Sequence, residues 1–158
     1  IKNSFFFICI RNPNDVVNSS IRTHEKFEKI NNVNNLFSEE MNELCHFEFG
    51  SNRIGLVERS DCKNEYEYYL KHWIYIHNLI LNNYLNTNNV YLLSYDKFIL
   101  NPKKTYSIIE KKLNIKSSIS VDRFIDKKVK IKNFSSEKKF PNNETKSIYD
   151  HLKKFFIN

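Results

Sequence analysis

The sequence predicts an α/β fold that is rich in helices and contains a parallel sheet. Two short apolar runs, at residues 5–10 and 90–93, have the length and composition of strands buried on both faces. Residues 64–85 repeat apolar and aromatic side chains every three or four positions, as an amphipathic helix does, and Trp73 on the apolar face is expected in the core. Strands that alternate with long helices are typical of parallel sheets, because a parallel connection needs a long crossover.

The first half of the chain is expected to contain two helices and a loop after the first strand. Pro13 prevents this strand from continuing, and Asp15 is a good N-cap for a helix that runs to about residue 30. A second helix is expected over residues 36–47. Residues 49–63, which contain the only two glycines, are expected to form a loop before the long helix begins.

The second half is expected to be helical after the strand at residues 90–93. Asn101 and Pro102 indicate a helix start, because Asn can accept hydrogen bonds from the first N–H groups and Pro suits the first turn. That helix is expected to end near residue 113. The remaining predicted elements are a short helix at 119–125, a basic irregular stretch at 129–143 and an amphipathic helix at 144–156.

The charge of the chain favours anionic partners. The formal net charge of +7 suits nucleotides, sulfated or phosphorylated substrates, nucleic acid or a membrane surface. The chain is also dense in Asn, Lys, Ile, Tyr and Phe, a composition that an AT-rich genome produces and that makes any protein basic. Charge alone therefore does not choose between these partners. The hydrophobic content of 41% is enough for a core and excludes a wholly disordered chain.

The cysteines favour a reducing compartment. Cys9, Cys45 and Cys62 show neither a CxxC pair nor clustering with His, which argues against a metal site and against a disulfide framework. The cytoplasm is therefore expected, with a Golgi lumenal domain as the alternative. Cys9 lies in an apolar run and is expected in the core. The longest apolar run is too short for a transmembrane helix.

Arg11 and Ser19 are the candidate phosphate ligands. Arg11 follows the first strand, and ligands of open α/β sheets collect at the carboxyl ends of strands. Its planar guanidinium can hold two phosphate oxygens at once. Ser19 follows Asp15 by one helical turn, close to a helix N-terminus whose N–H groups favour anions. The turn at Pro13 connects the two, so both side chains could meet one phosphate.

The segment R-N-P-N-D-V-V-N-S at residues 11–19 resembles the R-[DN]-P-x-D-x-x-x-S motif of the sulfotransferases that use PAPS (3'-phosphoadenosine 5'-phosphosulfate). The matching Arg and Ser of that family bind the 3'-phosphate of PAPS, which implies this role for Arg11 and Ser19. The resemblance also implies a P-loop-NTPase-like parallel sheet with flanking helices, here incomplete and helix-rich.

A second segment strengthens the resemblance. V-Y-L-L-S-Y-D-K-F-I-L-N-P at residues 90–102 is similar to the strand, Y-E-D sequence and helix start that follow in the same family. The Tyr of that family lies near the adenine, which implies that Tyr95 is a neighbour of the cofactor. The resemblance covers about residues 4–114.

One motif of the family is missing from the chain. Sulfotransferases carry a P-K-[SAT]-G-[ST]-[ST] loop that holds the 5'-phosphosulfate, and their catalytic base lies between that loop and the R-[DN]-P motif. Gly50 and Gly55 both follow Arg11 and lie in no such loop. The catalytic residues therefore stay unassigned. We expect residues 1–158 to be a single sulfotransferase-like domain and a C-terminal fragment of a longer protein.

The resemblance implies a sulfotransferase that moves a sulfuryl group from PAPS to a hydroxyl or amine of a small-molecule, carbohydrate or lipid acceptor, without a metal. The fragment alone is expected to be inactive. The alternative is a basic nucleic-acid-binding or nucleotide-binding module without catalysis. Nucleic acid is not the expected partner, because the lysines are scattered and form no dense basic stripe. A nucleotide kinase relative would need a G-x-x-x-x-G-K-[ST] loop, which the chain lacks.

Overall fold

The fold is α/β and rich in helices, with a small parallel sheet. The computed structural model describes residues 4–31, 57, 59–85, 87–116 and 139–157. The elements found in these ranges are β1 (Phe6–Ile10), α1 (Pro13–Asn31), a 3-10 turn (Arg59–Asp61), α2 (Glu65–Leu79), a π-helical turn (Ile80–Tyr84), β2 (Val90–Ser94), α3 (Tyr95–Leu100), α4 (Pro102–Leu113) and α5 (Asn143–Lys153). No helix among the described residues is both long and apolar enough to cross a membrane.

The chain divides into two compact units. The first, called the sheet unit here, comprises Ile1–Asn12 and Ile80–Asn158. The second, called the helical unit, comprises Pro13–Leu79. The sheet unit thus contains both described strands, and the helical unit contains α1 and α2.

The two strands of the sheet unit pair in parallel, as predicted. The register places Phe6 opposite Val90 and Ile10 opposite Ser94. Burial is uneven along the pair: Ile10 is 1% exposed, whereas Phe6 is 48% exposed. The expectation that β1 is buried on both faces is therefore wrong: Ile10 is buried on one face at the carboxyl end of the strand, but the opposite face is not covered there. Cys9 is exposed, so its predicted place in the core is wrong, because its side chain alternates to the face opposite Ile10.

The segment after α5 completes the core of the sheet unit. The backbone N–H of Ile157 donates to the carbonyl oxygen of Leu92 at 2.9 Å, and Phe156 forms a parallel bridge with Leu92. The closing helix was predicted to reach residue 156, but α5 ends at Lys153. The chain leaves the helix because the last residues pair with β2. This core contains Leu92, Ile148, Tyr149, Leu152 and Phe156.

The helical unit is built on the contact between α1 and α2. Trp73 is 2% exposed and Val17 fully buried, so the prediction that Trp73 is a core residue is confirmed. The Tyr66 hydroxyl donates to Asn14 Oδ1 at 2.6 Å. The predicted N-cap of α1 is wrong, because the helix begins at Pro13 and Asp15 lies inside its first turn. A carboxylate there still interacts favourably with the positive end of the helix dipole.

The long helix predicted over residues 64–85 is present, but its last part is π-helical rather than α-helical. Regular α-helix ends at Leu79, and Ile80–Tyr84 continue with one extra residue per turn. A pattern that repeats every three or four residues does not reveal such a change, because the π-helical segment is only five residues long.

Several predicted elements lie outside the described residues. These are the helices at 36–47 and 119–125, most of the loop at 49–63 and most of the basic stretch at 129–143.

Candidate phosphate-binding site

The parallel pairing places the ends of both strands at one edge of the sheet. Ile10 and Ser94, the last residues of the two strands, lie opposite each other in the register. Arg11 and Tyr95 directly follow them, so these two residues are neighbours at this edge of the sheet. The carboxyl edge of a parallel sheet is where open α/β proteins bind ligands. The sequence prediction named both residues, and both lie in the sheet unit.

Arg11 and Tyr95 are in direct contact. The guanidinium carbon of Arg11 lies 4.7 Å from the centroid of the Tyr95 ring, and both side chains are half-buried. A cation over an aromatic face is attracted by the ring quadrupole, by about 0.5–2 kcal/mol depending on solvent exposure. The ring therefore restricts the rotamers of Arg11.

Tyr95 is positioned by the start of α3. Ser94 is the N-cap: its backbone is extended, and its Oγ accepts a hydrogen bond from the backbone N–H of Lys97 at 3.3 Å. Asp96 follows in the first turn and is only 6% exposed. The first helix start predicted after β2 was at Asn101 and Pro102, so α3 was not predicted. The missed indication was a Ser cap followed by an acidic residue in the first turn, which is a common helix start.

Asn12 connects the site to the C-terminal part of the chain. The residue is 3% exposed, and its Nδ2 donates to the carbonyl oxygen of Lys139 at 3.5 Å. A buried amide must find hydrogen-bond partners, so this contact favours one position of the backbone at Lys139. Sequence reasoning assigned no role to Asn12, although it lies inside the R-N-P motif.

Ser19 lies on α1 in the helical unit and is half-buried. Its carbonyl oxygen accepts a hydrogen bond from the Thr23 hydroxyl at 2.8 Å. Because Arg11 belongs to the sheet unit, the meeting of Arg11 and Ser19 at one phosphate stays a prediction.

The helical unit contains a cluster of aromatic rings, consisting of Tyr68, His72, Trp73 and His77. Tyr68 and Trp73 are buried, and the two histidines are half-buried. The His77 ring stacks on Trp73 with centroids 3.9 Å apart, and its Nδ1 lies 2.6 Å from the Trp73 carbonyl oxygen. That oxygen can only accept, so Nδ1 carries the proton. Burial lowers the pKa of His77 to about 4, despite this hydrogen bond. Burial also lowers the pKa of His72. Both rings therefore favour the neutral form at pH 7.

A metal site was not predicted, and the described ranges contain no group of three His, Cys, Asp or Glu side chains that could hold a metal ion. At the carboxyl edge of the sheet, Arg11 offers a half-buried guanidinium in contact with an aromatic ring.

Comparison with known proteins gives no relative: the chain matches no protein-family model, no curated protein and no solved structure.

Proposed function

We propose that this chain forms the 3'-phosphate and adenine side of the PAPS site of a sulfotransferase. The observation that carries the proposal is the contact between Arg11 and Tyr95 at the carboxyl edge of a parallel strand pair. Arg11 matches the sulfotransferase motif in the first sequence segment, and Tyr95 matches it in the second. Their juxtaposition is what a site for a phosphorylated nucleoside requires.

The chemistry of Arg11 suits a phosphate monoester. Such a group is close to a dianion at neutral pH, and a guanidinium can donate two parallel hydrogen bonds to it. Tyr95 offers an aromatic face and a hydroxyl, which suit a nucleoside held next to the phosphate. On this proposal Ser19 supplies a further hydroxyl donor to the same phosphate.

These contacts would act at a distance from the sulfur. Binding the 3'-phosphate of PAPS positions the sulfuryl group at the other end of the molecule. The binding energy of these remote contacts is used to orient the group that is transferred. The acceptor on this proposal is a hydroxyl or amine of a small molecule, carbohydrate or lipid. The strand pair would belong to a larger P-loop-NTPase-like parallel sheet, in a protein of the cytoplasm or the Golgi lumen.

The test compares two nucleotides that differ only in the 3'-phosphate. Adenosine 3',5'-bisphosphate (PAP) and AMP are titrated into the protein by isothermal calorimetry. We expect PAP to bind about tenfold tighter or more, because charge-assisted hydrogen bonds contribute about 1.5–3 kcal/mol. Equal affinities would reject the proposal.

The salt dependence of binding distinguishes the proposed PAP site from a nucleic-acid-binding module. Nucleic-acid binding depends on the release of many counterions and collapses between low and moderate salt. A PAP pocket with few ionic contacts is expected to lose much less affinity over the same range. Tight, strongly salt-dependent binding of an oligonucleotide, with no preference for PAP over AMP, would favour the nucleic-acid-binding module.

A further inference from the structure

The sheet unit contains a cavity that the proposed nucleotide site does not use. It has a volume of about 290 Å³ and lies beside the end of β2, α3 and the first half of α4. Its main lining residues are Lys97, Leu100, Lys104, Thr105, Ile108 and Ile157. Neither Arg11 nor Tyr95 lines it.

The wall of this cavity is largely hydrocarbon. Leu100, Ile108 and Ile157 come from α3, α4 and the segment after α5. Leu100 is 55% exposed, which leaves a large apolar surface in contact with water. Ile157 is fixed in place through the hydrogen bond from its N–H to Leu92. A ligand with an alkyl chain would remove this apolar surface from water, which is the main driving force for binding in such pockets.

The charged groups of the cavity are two ammonium groups. Lys97 and Lys104 are both exposed, and none of the lining residues is acidic. The neutral polar groups already have local hydrogen bonds. Asn101 Oδ1 accepts from the backbone N–H of Lys104 at 3.1 Å, and the Thr105 hydroxyl donates to the Asn101 carbonyl oxygen at 3.4 Å. An anion would be attracted to the lysine side chains rather than to the N-terminus of α4, because the lysines carry the positive charge of the lining.

We propose that this cavity binds a small amphiphilic anion, with its head group at Lys97 and Lys104 and its alkyl chain against Leu100, Ile108 and Ile157. The volume lies at the lower end of ligand pockets, about 300–1,000 Å³, and suits a single short chain rather than a two-chain lipid. Carboxylate and phosphate heads share the chemistry that two ammonium groups recognise. The proposal is independent of the nucleotide site.

The first experiment needs no substitution. Decanoate, decyl phosphate, decanol and acetate are titrated into the methyl-labelled full chain and followed by NMR. We expect saturable shifts of the Leu100, Ile108 and Ile157 methyl groups with decanoate or decyl phosphate, at least tenfold weaker binding of decanol, and no saturation with acetate. The better of the two anions identifies the head group. Decanol binding as tightly as both anions would overturn the proposal, because the lysines would then contribute nothing.

The second experiment removes the charges. We expect the double variant Lys97→Gln/Lys104→Gln to bind the preferred anion about tenfold or more weakly. The control pair Lys111→Gln/Lys153→Gln removes the same charge from exposed positions outside the cavity and is expected to leave the affinity within about twofold. If both double variants bound the anion equally weakly, the loss of affinity would be a general effect of net charge, and the proposal would be overturned. PAP binding by the cavity variant is expected to be unchanged, which keeps the two sites distinguishable.

Discussion

Arg11 and Tyr95 are separated by most of the chain but lie in contact, with the guanidinium carbon 4.7 Å from the centroid of the ring. The contact exists because the strands that precede them pair in parallel with Ile10 opposite Ser94. A cation–π contact attracts the guanidinium through its charge and occupies none of its N–H donors in a hydrogen bond. This arrangement makes Arg11 the residue on which the first prediction depends.

Arg11→Ala is expected to weaken PAP binding about tenfold to a hundredfold, because it removes charge-assisted contacts that contribute about 1.5–3 kcal/mol. AMP binding is expected to change far less, since AMP lacks the 3'-phosphate. Isothermal calorimetry measures both. Arg22→Ala is the matched control: Arg22 is exposed on α1, and its Nε donates to the Asn18 carbonyl oxygen at 3.1 Å. An unchanged dissociation constant for PAP in Arg11→Ala would reject the assignment.

Tyr95 is expected to act through the face of its ring more than through its hydroxyl. Tyr95→Phe keeps the aromatic face and is expected to bind PAP within about twofold of the wild type. Tyr95→Leu loses the attraction to Arg11 and is expected to bind about twofold to fivefold more weakly, the equivalent of about 0.5–1 kcal/mol. Fluorescence competition against a labelled nucleotide can resolve this difference. If Phe weakens binding as much as Leu does, the hydroxyl is the important group.

Ser19→Ala is expected to weaken PAP binding about fivefold, because one neutral hydrogen bond contributes about 1 kcal/mol. Alanine is a better helix former than serine, so α1 should not be destabilised. Ser20→Ala is the control. Both serines are half-buried, but adjacent residues of a helix point in different directions. Identical affinities in the two variants would remove Ser19 from the site.

Acid is expected to destabilise the protein through His77. Its pKa is about 4 in the folded protein against an ordinary 6.5, so the unfolded chain binds the proton first as the pH falls. The contribution of the neutral ring to the free energy of unfolding is complete above pH 6.5. As the pH falls towards about 4, this contribution is lost, which lowers the free energy of unfolding by about 3 kcal/mol. His77→Phe should reduce the slope of the unfolding free energy with pH, as measured by urea denaturation.

In His77→Phe, the unfolding free energy is expected to keep a residual dependence on pH that comes from His72, because burial lowers the pKa of His72 too. His151→Phe is the control, since His151 is exposed on α5. A slope that stays the same in His77→Phe would mean that the ring is not protected from protonation in the folded state.

Asn142→Ala is expected to lower the free energy of unfolding by about 1 kcal/mol. Asn142 Oδ1 accepts from the backbone N–H of Thr145 at 2.9 Å, and the Thr145 hydroxyl accepts from the Asn142 N–H at 3.4 Å, which together form a capping box. Asn143→Ala, one position inside the helix and exposed, is expected to change stability little. Equal losses in the two variants would argue against the cap.

The sequence predicted those parts of the fold that depend on local chemistry. Asn101 and Pro102 fixed the start of α4, and the Asn101 side chain caps it as expected. The two apolar runs correspond to β1 and β2, and their parallel pairing follows from the helices between them. Trp73 was assigned to the core because it lies on the apolar face of a long helix.

Features that depend on tertiary context were not predictable in this way. The exposure of Cys9 depends on what covers each face of β1, which the apolar run does not reveal. The early end of α5 depends on Phe156 and Ile157 pairing with β2, which is a long-range contact. For the candidate site, motif similarity selected Arg11 and Tyr95 but did not indicate their mutual contact or the contact of Asn12 with Lys139.

The distance along the chain between the two strands has a consequence for biosynthesis. Asn89 Nδ2 donates to the Ser4 carbonyl oxygen although the residues are 85 positions apart, so the sheet closes a very long loop. Pairings of such high contact order form slowly, and they cannot form on the ribosome before residue 89 has emerged. Until then the aromatic start of β1 cannot pair with β2. Newly made chains should therefore depend on holding chaperones and low expression temperature more than their modest size suggests.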